Sequence, residues 1–404
     1  ALANVGQRVM PFKAGPDFID PAFHAAATKA DCFNLDPWGM RPELIRGLAS
    51  GDRLTIVEGM MGLFDGAADG SGSCADLAAL LDLPVVLVVD CGRQSHSVAA
   101  LVRGFRDHRA DVRIAALILN RVSTERHERL LREALEPIGI PVAGGIPSMD
   151  LLKLPERHLG LVQAGEHVAL EAFIATAATL VKDRIDLEML AGLGGKALSG
   201  NSATNKLPPF GQRMAIARDE AFAFAYPHIL TGWREQGAEL SFFSPLKDEA
   251  PTLEADAVYL PGGYPELHAG KLVAASKFSA GMIAARDRGA AIYGECGGFM
   301  VLGDSLTDAE GKAHPMLGLL PVETSFATRT RHLGYRKLKA RAGTLFSGRY
   351  RAHEFHYSTL VRQGEGMPLF DAEDATGMKL AAHGRQFGKV AGSYMHLIDL
   401  DGGA

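Results

Sequence analysis

The sequence predicts an α/β protein of two domains, each built on a parallel sheet covered by helices. Three observations lead there. Apolar, β-rich runs at 53–57, 84–89 and 113–119 alternate with helical patterns at 75–81, 95–105 and 125–135. Continuous apolar strands separated by helices belong to parallel sheets buried on both faces. A stretch at 191–210, rich in Gly, Ser, Asn and Pro, has linker composition, and strand–helix alternation restarts after it. Finally, 404 residues exceed what one ordinary core accommodates.

Taken in order, residues 1–6 read as the tail of a helix and 8–12 as a strand, followed by the alternation above. The first domain is thereby set at 1–190, the linker at 191–210 and the second domain at 211–404. The second domain is predicted to run strand 213–217, helix 222–236, strand 239–243 and strand 257–260. The apolar run Ala291-Ile292-Tyr293 then leads into Gly294-Glu295-Cys296-Gly297-Gly298. From 317 to 393 the segments shorten and become β-like, as in an antiparallel insertion.

Composition narrows the function classes. A net charge of −5 gives no support for nucleic-acid binding, and no apolar run reaches membrane-spanning length. No signal peptide is visible. The four cysteines (Cys32, Cys74, Cys91 and Cys296) lack CxxC spacing, so neither a disulfide framework nor a zinc site is indicated. A reducing, cytoplasmic setting fits.

The chemistry of the second domain centres on Cys296. A strand ending on glycine, a cysteine at the turn and a helix starting at Gly297 have the logic of a nucleophile elbow. A thiol at a helix N-terminus ionises more readily, and neighbouring backbone N–H groups can hold an oxyanion. A buried structural cysteine is the bland alternative, which the flanking glycines disfavour. Pro261-Gly262-Gly263-Tyr264-Pro265-Glu266-Leu267 follows a strand and presents backbone N–H groups to a ligand. Gly392-Ser393-Tyr394-Met395-His396 could bring an imidazole to the thiol as general base.

Together these three segments resemble the class I glutamine amidotransferase domain of the cobyric-acid-synthase type, from about residue 213 to the end. The resemblance implies that Cys296 attacks the amide of glutamine and His396 shuttles the proton. Gly263 and Gly297 would supply the oxyanion hole. In the wider superfamily a glutamate often stands two positions after the histidine. Here that position is Ile398, so the expectation is a Cys–His dyad without a carboxylate orienter.

In the first domain, Lys13, Asp17 and Asp20 leave one predicted strand, and Glu58 and Asp65 leave the next. Carboxylates at the C-terminal edge of a parallel sheet are placed to hold Mg²⁺ beside phosphates, and Lys13 to neutralise phosphate charge. Singly these are ordinary strand-end turns; the pair of acidic clusters favours a nucleotide site. Phe12-Lys13-Ala14-Gly15-Pro16-Asp17-Phe18-Ile19-Asp20-Pro21 resembles the ATP-binding domain of the cobyrinate or hydrogenobyrinate a,c-diamide synthase family, itself related to dethiobiotin synthetase. So do Asn34-Leu35-Asp36-Pro37-Trp38, Glu58-Gly59-Met60-Met61-Gly62-Leu63-Phe64-Asp65-Gly66, Ile118-Leu119-Asn120-Arg121-Val122 and Leu154-Pro155-Glu156-Arg157-His158-Leu159-Gly160-Leu161.

That resemblance implies a P-loop-type domain using ATP and Mg²⁺. Asp17 and Glu58 would bind the metal, with Asp20 and Asp65 near the reacting phosphate or carboxylate. Asn120 would read adenine, and Phe18 and Ile19 would touch the corrinoid. The family's phosphate loop, GxxxxGK followed by Ser or Thr, is absent from these residues. The first domain is therefore expected to be N-terminally incomplete, or to cradle phosphate differently. The implied activity is ATP-dependent, glutamine-hydrolysing amidation of the a and c carboxylates through acyl phosphates, in cobalamin biosynthesis. Cobyric acid synthase, a stand-alone glutaminase and a non-catalytic corrinoid binder are the rivals. The oligomeric state stays open, a homodimer among the options. A basic run (Arg329, Arg331, His332, Arg336, Arg351, His353, His356) reads equally as solvated surface or as a cationic wall for a polycarboxylate.

Overall fold

The structure, a computed structural model, describes residues 1–402 except 155, 158, 159 and 195–205. The 191–210 linker and the 154–161 motif thus lie partly outside the described residues. The chain divides into two compact units. One comprises Ala1–Leu35, Arg46–Asp65 and Ser73–Ser202; the other Asp36–Ile45, Gly66–Gly72 and Ala203–Ala404.

In the first unit, strands β1 (Val9–Ala14), β2 (Phe33–Leu35) and β3 (Leu54–Glu58) form a parallel sheet in the order β2-β1-β3. A second parallel sheet orders β4 (Val85–Asp90), β5 (Ile114–Val122) and β6 (Val142–Pro147) as β4-β5-β6. Helix α1 (Asp20–Thr28) follows β1, and α2 (Pro42–Ala49) precedes β3. Helix α3 (Cys74–Leu81) opens on a capping box between Ser73 and Asp76. Helices α4 (Val98–His108) and α5 (Glu125–Leu135) bury Val98, Val102, Leu131 and Leu135 against Val89, Leu117 and Leu119. A short antiparallel pair, β7 (Glu156–Arg157) with β8 (Gly160–Leu161), precedes α6 (Leu170–Arg184) and α7 (Leu187–Gly192).

The second unit contains a six-stranded sheet in the order β10-β9-β11-β12-β21-β20. Its members are β9 (Arg213–Ala217), β10 (Glu239–Phe243), β11 (Ala257–Leu260), β12 (Ala291–Glu295), β20 (Arg385–Phe387) and β21 (Val390–Ser393). All neighbours are parallel except β20, which runs antiparallel to β21. Helices α8 (Pro227–Glu235), α9 (Ala269–Ala274), α10 (Ser276–Asp287) and α11 (Gly297–Leu302) connect these strands. A core of Phe222, Leu260, Phe278, Met282, Ile292 and Phe299 lies between sheet and helices.

The β-rich region forms two further sheets. One orders β13 (Ser305–Thr307), β14 (Ala313–Pro315), β15 (Val322–Ser325) and β18 (Thr359–Gln363) as β14-β13-β15-β18. The other is wholly antiparallel, β19-β16-β17-β22, from β16 (His332–Ala340), β17 (Arg349–His356), β19 (Phe370–Asp374) and β22 (Met395–Leu400). Among the described residues no helix is long and apolar enough to cross a membrane.

Several predicted elements appear at their predicted bounds, including β9, β10, β11 and α5. Helix α8 starts five residues later than the sequence pattern indicates. Pro227 is favoured at its first turn, and the Phe224 N–H is used by the Gly262 carbonyl at 2.9 Å. Residues 36–45 join the second unit through specific contacts. Trp38 stacks on Tyr335 at 4.5 Å, and Arg41 forms a bidentate pair with Asp399 at 2.9 and 3.0 Å.

Candidate active site

In the second unit, β12 ends at Glu295 and α11 begins at Gly297, leaving Cys296 at the turn with φ 45° and ψ −103°. That is a strained conformation for a residue with a side chain, the expected signature of a nucleophile elbow. Glycines make the turn feasible. A Cβ at Gly298 would lie 1.9 Å from the Leu260 carbonyl oxygen, and one at Gly294 would lie 2.6 Å from the Gly298 carbonyl carbon. The Cys296 N–H donates to the Ser393 carbonyl at 2.8 Å, tying the elbow to the strand that precedes His396.

His396, on β22, is buried beside Cys296. A Cβ at Gly262 would come within 2.4 Å of the imidazole Cε1 and 3.4 Å of the Cys296 Cβ, so thiol, imidazole and this glycine share one point. Gly263 and Gly297 adjoin as well, since a Cβ on Gly297 would lie 3.1 Å from the Gly263 nitrogen. As the first helical residue, Gly297 has no intrahelical acceptor for its N–H. The structure therefore brings together all four residues predicted for the glutaminase site.

It also adds one. Beside the imidazole, which the sequence leads one to expect without a carboxylate, Glu295 Oε2 lies 3.6 Å from His396 Nδ1, an ion-pair separation longer than a hydrogen bond. Glu295 directly precedes the nucleophile, whereas Ile398, at the position inspected in the sequence, packs in the core. Burial pulls the His396 pKa down, but the Cys296 and Glu295 charges outweigh it and raise it to about 10.

Strand β17 runs past this site. Within the basic run, Arg336 donates to Glu354 at 2.9 and 2.7 Å, both largely buried, and Glu354 also accepts from His356 at 3.1 Å. Burial opposes the Glu354 charge, but the His356 hydrogen bond and the Arg336 charge bring its pKa down to about 2. A carboxylate depressed on folding stabilises above its unfolded value, near 4.5, and loses that contribution as pH falls towards 2. Glu354→Gln should therefore lose roughly 3–5 kcal/mol at pH 7, since it strands buried Arg336. The deficit should shrink between pH 4.5 and 2 in urea unfolding; a deficit constant across that range would contradict the pairing.

In the first unit, Lys13 is buried on β1 with its ammonium 2.6 Å from Asp20, 3.2 Å from Glu58 and 3.8 Å from Asp17. Glu58 further contacts His24 Nε2 at 2.5 Å. Asp17 accepts from the Ile19 and Asp20 N–H groups at 2.7 and 3.0 Å, which organises the turn into α1. Asn34 donates to the Gly15 and Asp17 carbonyls at 2.9 and 2.7 Å and holds the same turn. Burial, the larger cause, and Asp20 push the Asp17 pKa up. The Lys13 charge is met by three carboxylates.

The remaining predicted residues fall as follows. Asp65 accepts from the Gly62 N–H at 2.9 Å and closes its own turn. Asn120 lies on β5 in the other sheet of this unit, two residues before its end and opposite Asp90 in register, with its side chain accepting from the Arg121 N–H. Phe18 is half-buried, while Ile19 is only 8% exposed and faces the core. His24 escaped the sequence reading; its spacing from Asp20, one helical turn within α1, is the signal that could have found it.

The geometry defines a cysteine-dependent amidotransferase site. The family of CobB/CobQ-like glutamine amidotransferase domains matches residues 213–402, and that of CobQ/CobB/MinD/ParA nucleotide binding domains matches residues 1–162. Over the whole length the chain is similar to hydrogenobyrinate a,c-diamide synthases. That of Brucella anthropi is 58% identical over 100% of this chain and 94% of its own. That of Rhizobium meliloti is 57% identical over 99% and 94%, and that of Rhodobacter capsulatus 48% over 98% and 93%. The chain belongs to the hydrogenobyrinate a,c-diamide synthase family.

Proposed function

We propose that this chain amidates the a and c carboxylates of hydrogenobyrinate, using glutamine as nitrogen donor and ATP as the activating substrate. The observation that carries the reading is Cys296, strained at its elbow and placed beside His396, with Gly263 and Gly297 adjoining. The sulfur attacks the glutamine carbonyl, and the Gly263 and Gly297 N–H groups receive the oxyanion. His396 hands its proton to the departing ammonia. Water then hydrolyses the thioester to glutamate. In the nucleotide-binding unit, ATP phosphorylates a substrate carboxylate, which turns a poor electrophile into an acyl phosphate that ammonia can attack.

The first-unit residues fit Mg²⁺. Asp17, Asp20 and Glu58 surround one lysine, leaving surplus negative charge, and burial together with the Asp20 charge raises the Asp17 pKa. A divalent cation there would neutralise phosphate oxygens, with Asp17 and Glu58 as its carboxylate ligands. Lys13 and Asp20 then position the phosphate end of ATP, Asp65 lies beyond β3, Asn120 takes adenine and Phe18 the corrinoid. A cytoplasmic setting agrees with four free cysteines. The relatives' names favour hydrogenobyrinate over cobyrinate and over the cobyric acid synthase alternative. The match at 1–162 disfavours a glutaminase lacking a synthetase of its own.

Glu58→Gln tests the metal assignment in the full-length protein. Diamide formation should fall about 10- to 100-fold, and the Mg²⁺ concentration for half-maximal rate should rise. An unchanged Mg²⁺ dependence would remove Glu58 from the site.

A further inference from the structure

Position 398, where a carboxylate would conventionally orient the histidine, holds an isoleucine whose carbonyl accepts from His228 at 2.9 Å. The imidazole nevertheless has an acid at its back. Glu295 is 4% exposed, and its Oε2 lies 3.6 Å from His396 Nδ1. The same oxygen accepts from the Tyr259 hydroxyl at 2.8 Å, while Oε1 accepts from the Leu397 N–H at 3.3 Å. Other nearby acids are committed elsewhere: Glu354 to Arg336 and His356, Asp399 to Arg41.

We infer that Glu295 is the positioning carboxylate of the glutaminase site, with Tyr259 holding it against His396. This rests on reading Cys296 and His396 as the glutaminase pair. Consecutive side chains of an extended strand point to opposite faces, so a residue adjoining the nucleophile would not ordinarily share its imidazole. The strained turn at Cys296 changes that, and both neighbours address one ring. Tyr259 is fixed in turn, stacked on Tyr293 at 6.1 Å and edge-on to Trp233 at 5.5 Å. A carboxylate at Nδ1 selects the tautomer that carries a proton there, turns Nε2 to the thiol, and stabilises the imidazolium. A glutamine cannot copy it. Tyr259 and Leu397 donate to different oxygens, so the amide nitrogen must face one of those donors or Nδ1 itself.

The test uses the full-length protein with Glu295→Gln, Glu295→Asp and Tyr259→Phe. Glutaminase kcat and KM are measured with the pH dependence of Cys296 alkylation by iodoacetamide, followed by peptide mass. Glu295→Gln should lower kcat about 10²- to 10⁴-fold with KM little changed, and move alkylation to higher pH. Glu295→Asp should recover part of both, and Tyr259→Phe should lose about 10-fold in kcat. A wild-type kcat and alkylation profile in Glu295→Gln overturns the inference, as does a rate loss with an unmoved profile. If Glu295→Gln does not fold, Tyr259→Phe decides, and a wild-type profile there overturns it. A wild-type enzyme without glutaminase activity would instead sink the reading of the site as a whole.

Discussion

Cys296→Ser should lower glutamine-dependent diamide formation by at least about 10³-fold while amidation driven by added ammonium salt continues. The hydroxyl keeps the size of the thiol but is a far weaker nucleophile towards the glutamine amide. Cys296 is the leading influence that raises the His396 pKa against burial. The substitution should therefore also let the ring lose its proton at a lower pH, which an NMR titration would follow. Equal loss of glutamine- and ammonium-driven product would mean that the elbow does more than release ammonia. The backbone supplies a companion test. With φ 45° and ψ −103°, any side chain at this position is strained, a cost on the order of 1–3 kcal/mol. Cys296→Gly should abolish glutaminase activity yet unfold at an equal or higher temperature.

What could be read in the sequence divides along physical lines. Strands β9, β10 and β11 were legible because each is a short apolar run filling a buried sheet, where local pattern and tertiary demand agree. Cys296, Gly263 and His396 were legible because backbone geometry needs glycine at fixed offsets around them. Glu295 was not, because its role depends on where β22 passes the end of β12, and sequence spacing carries no trace of that. The two residues expected at the corrinoid differ in burial for a local reason: Asp17 caps the turn into α1, and that turn directs Ile19 inwards. Charge counting along β16 and β17 overstates the free positive charge, because Glu354 stands against Arg336 and Asp401 against Arg351. Segment 36–45 gave no sign of leaving the first unit, since Tyr335 lies 299 residues from its partner Asp36 and Asp399 lies 358 from Arg41.

Gly262→Ala should lower glutaminase kcat by more than about 10²-fold without unfolding the protein. Unlike Gly263, this glycine is not required by its backbone angles, since its φ lies outside the left-handed region. What excludes a side chain is the site itself, with the added methyl 2.4 Å from His396 Cε1 and 3.2 Å from Nε2. The imidazole has nowhere to retreat. Strand β22 pairs with β17 at His353↔His396, and Glu295 closes the opposite side of the ring. Something must shift by a substantial part of an ångström, and a misplacement of about 1 Å between reacting groups costs on the order of 10²-fold. The loss should appear in kcat and in the rate of Cys296 alkylation, with the melting temperature lowered by only a few degrees. Gly263→Ala is the contrasting variant. Its Cβ would sit 2.2 Å from the Ala221 carbonyl oxygen, so backbone rather than a side chain must yield, and stability should fall along with activity. Wild-type turnover in Gly262→Ala would show that His396 does not occupy this position during catalysis.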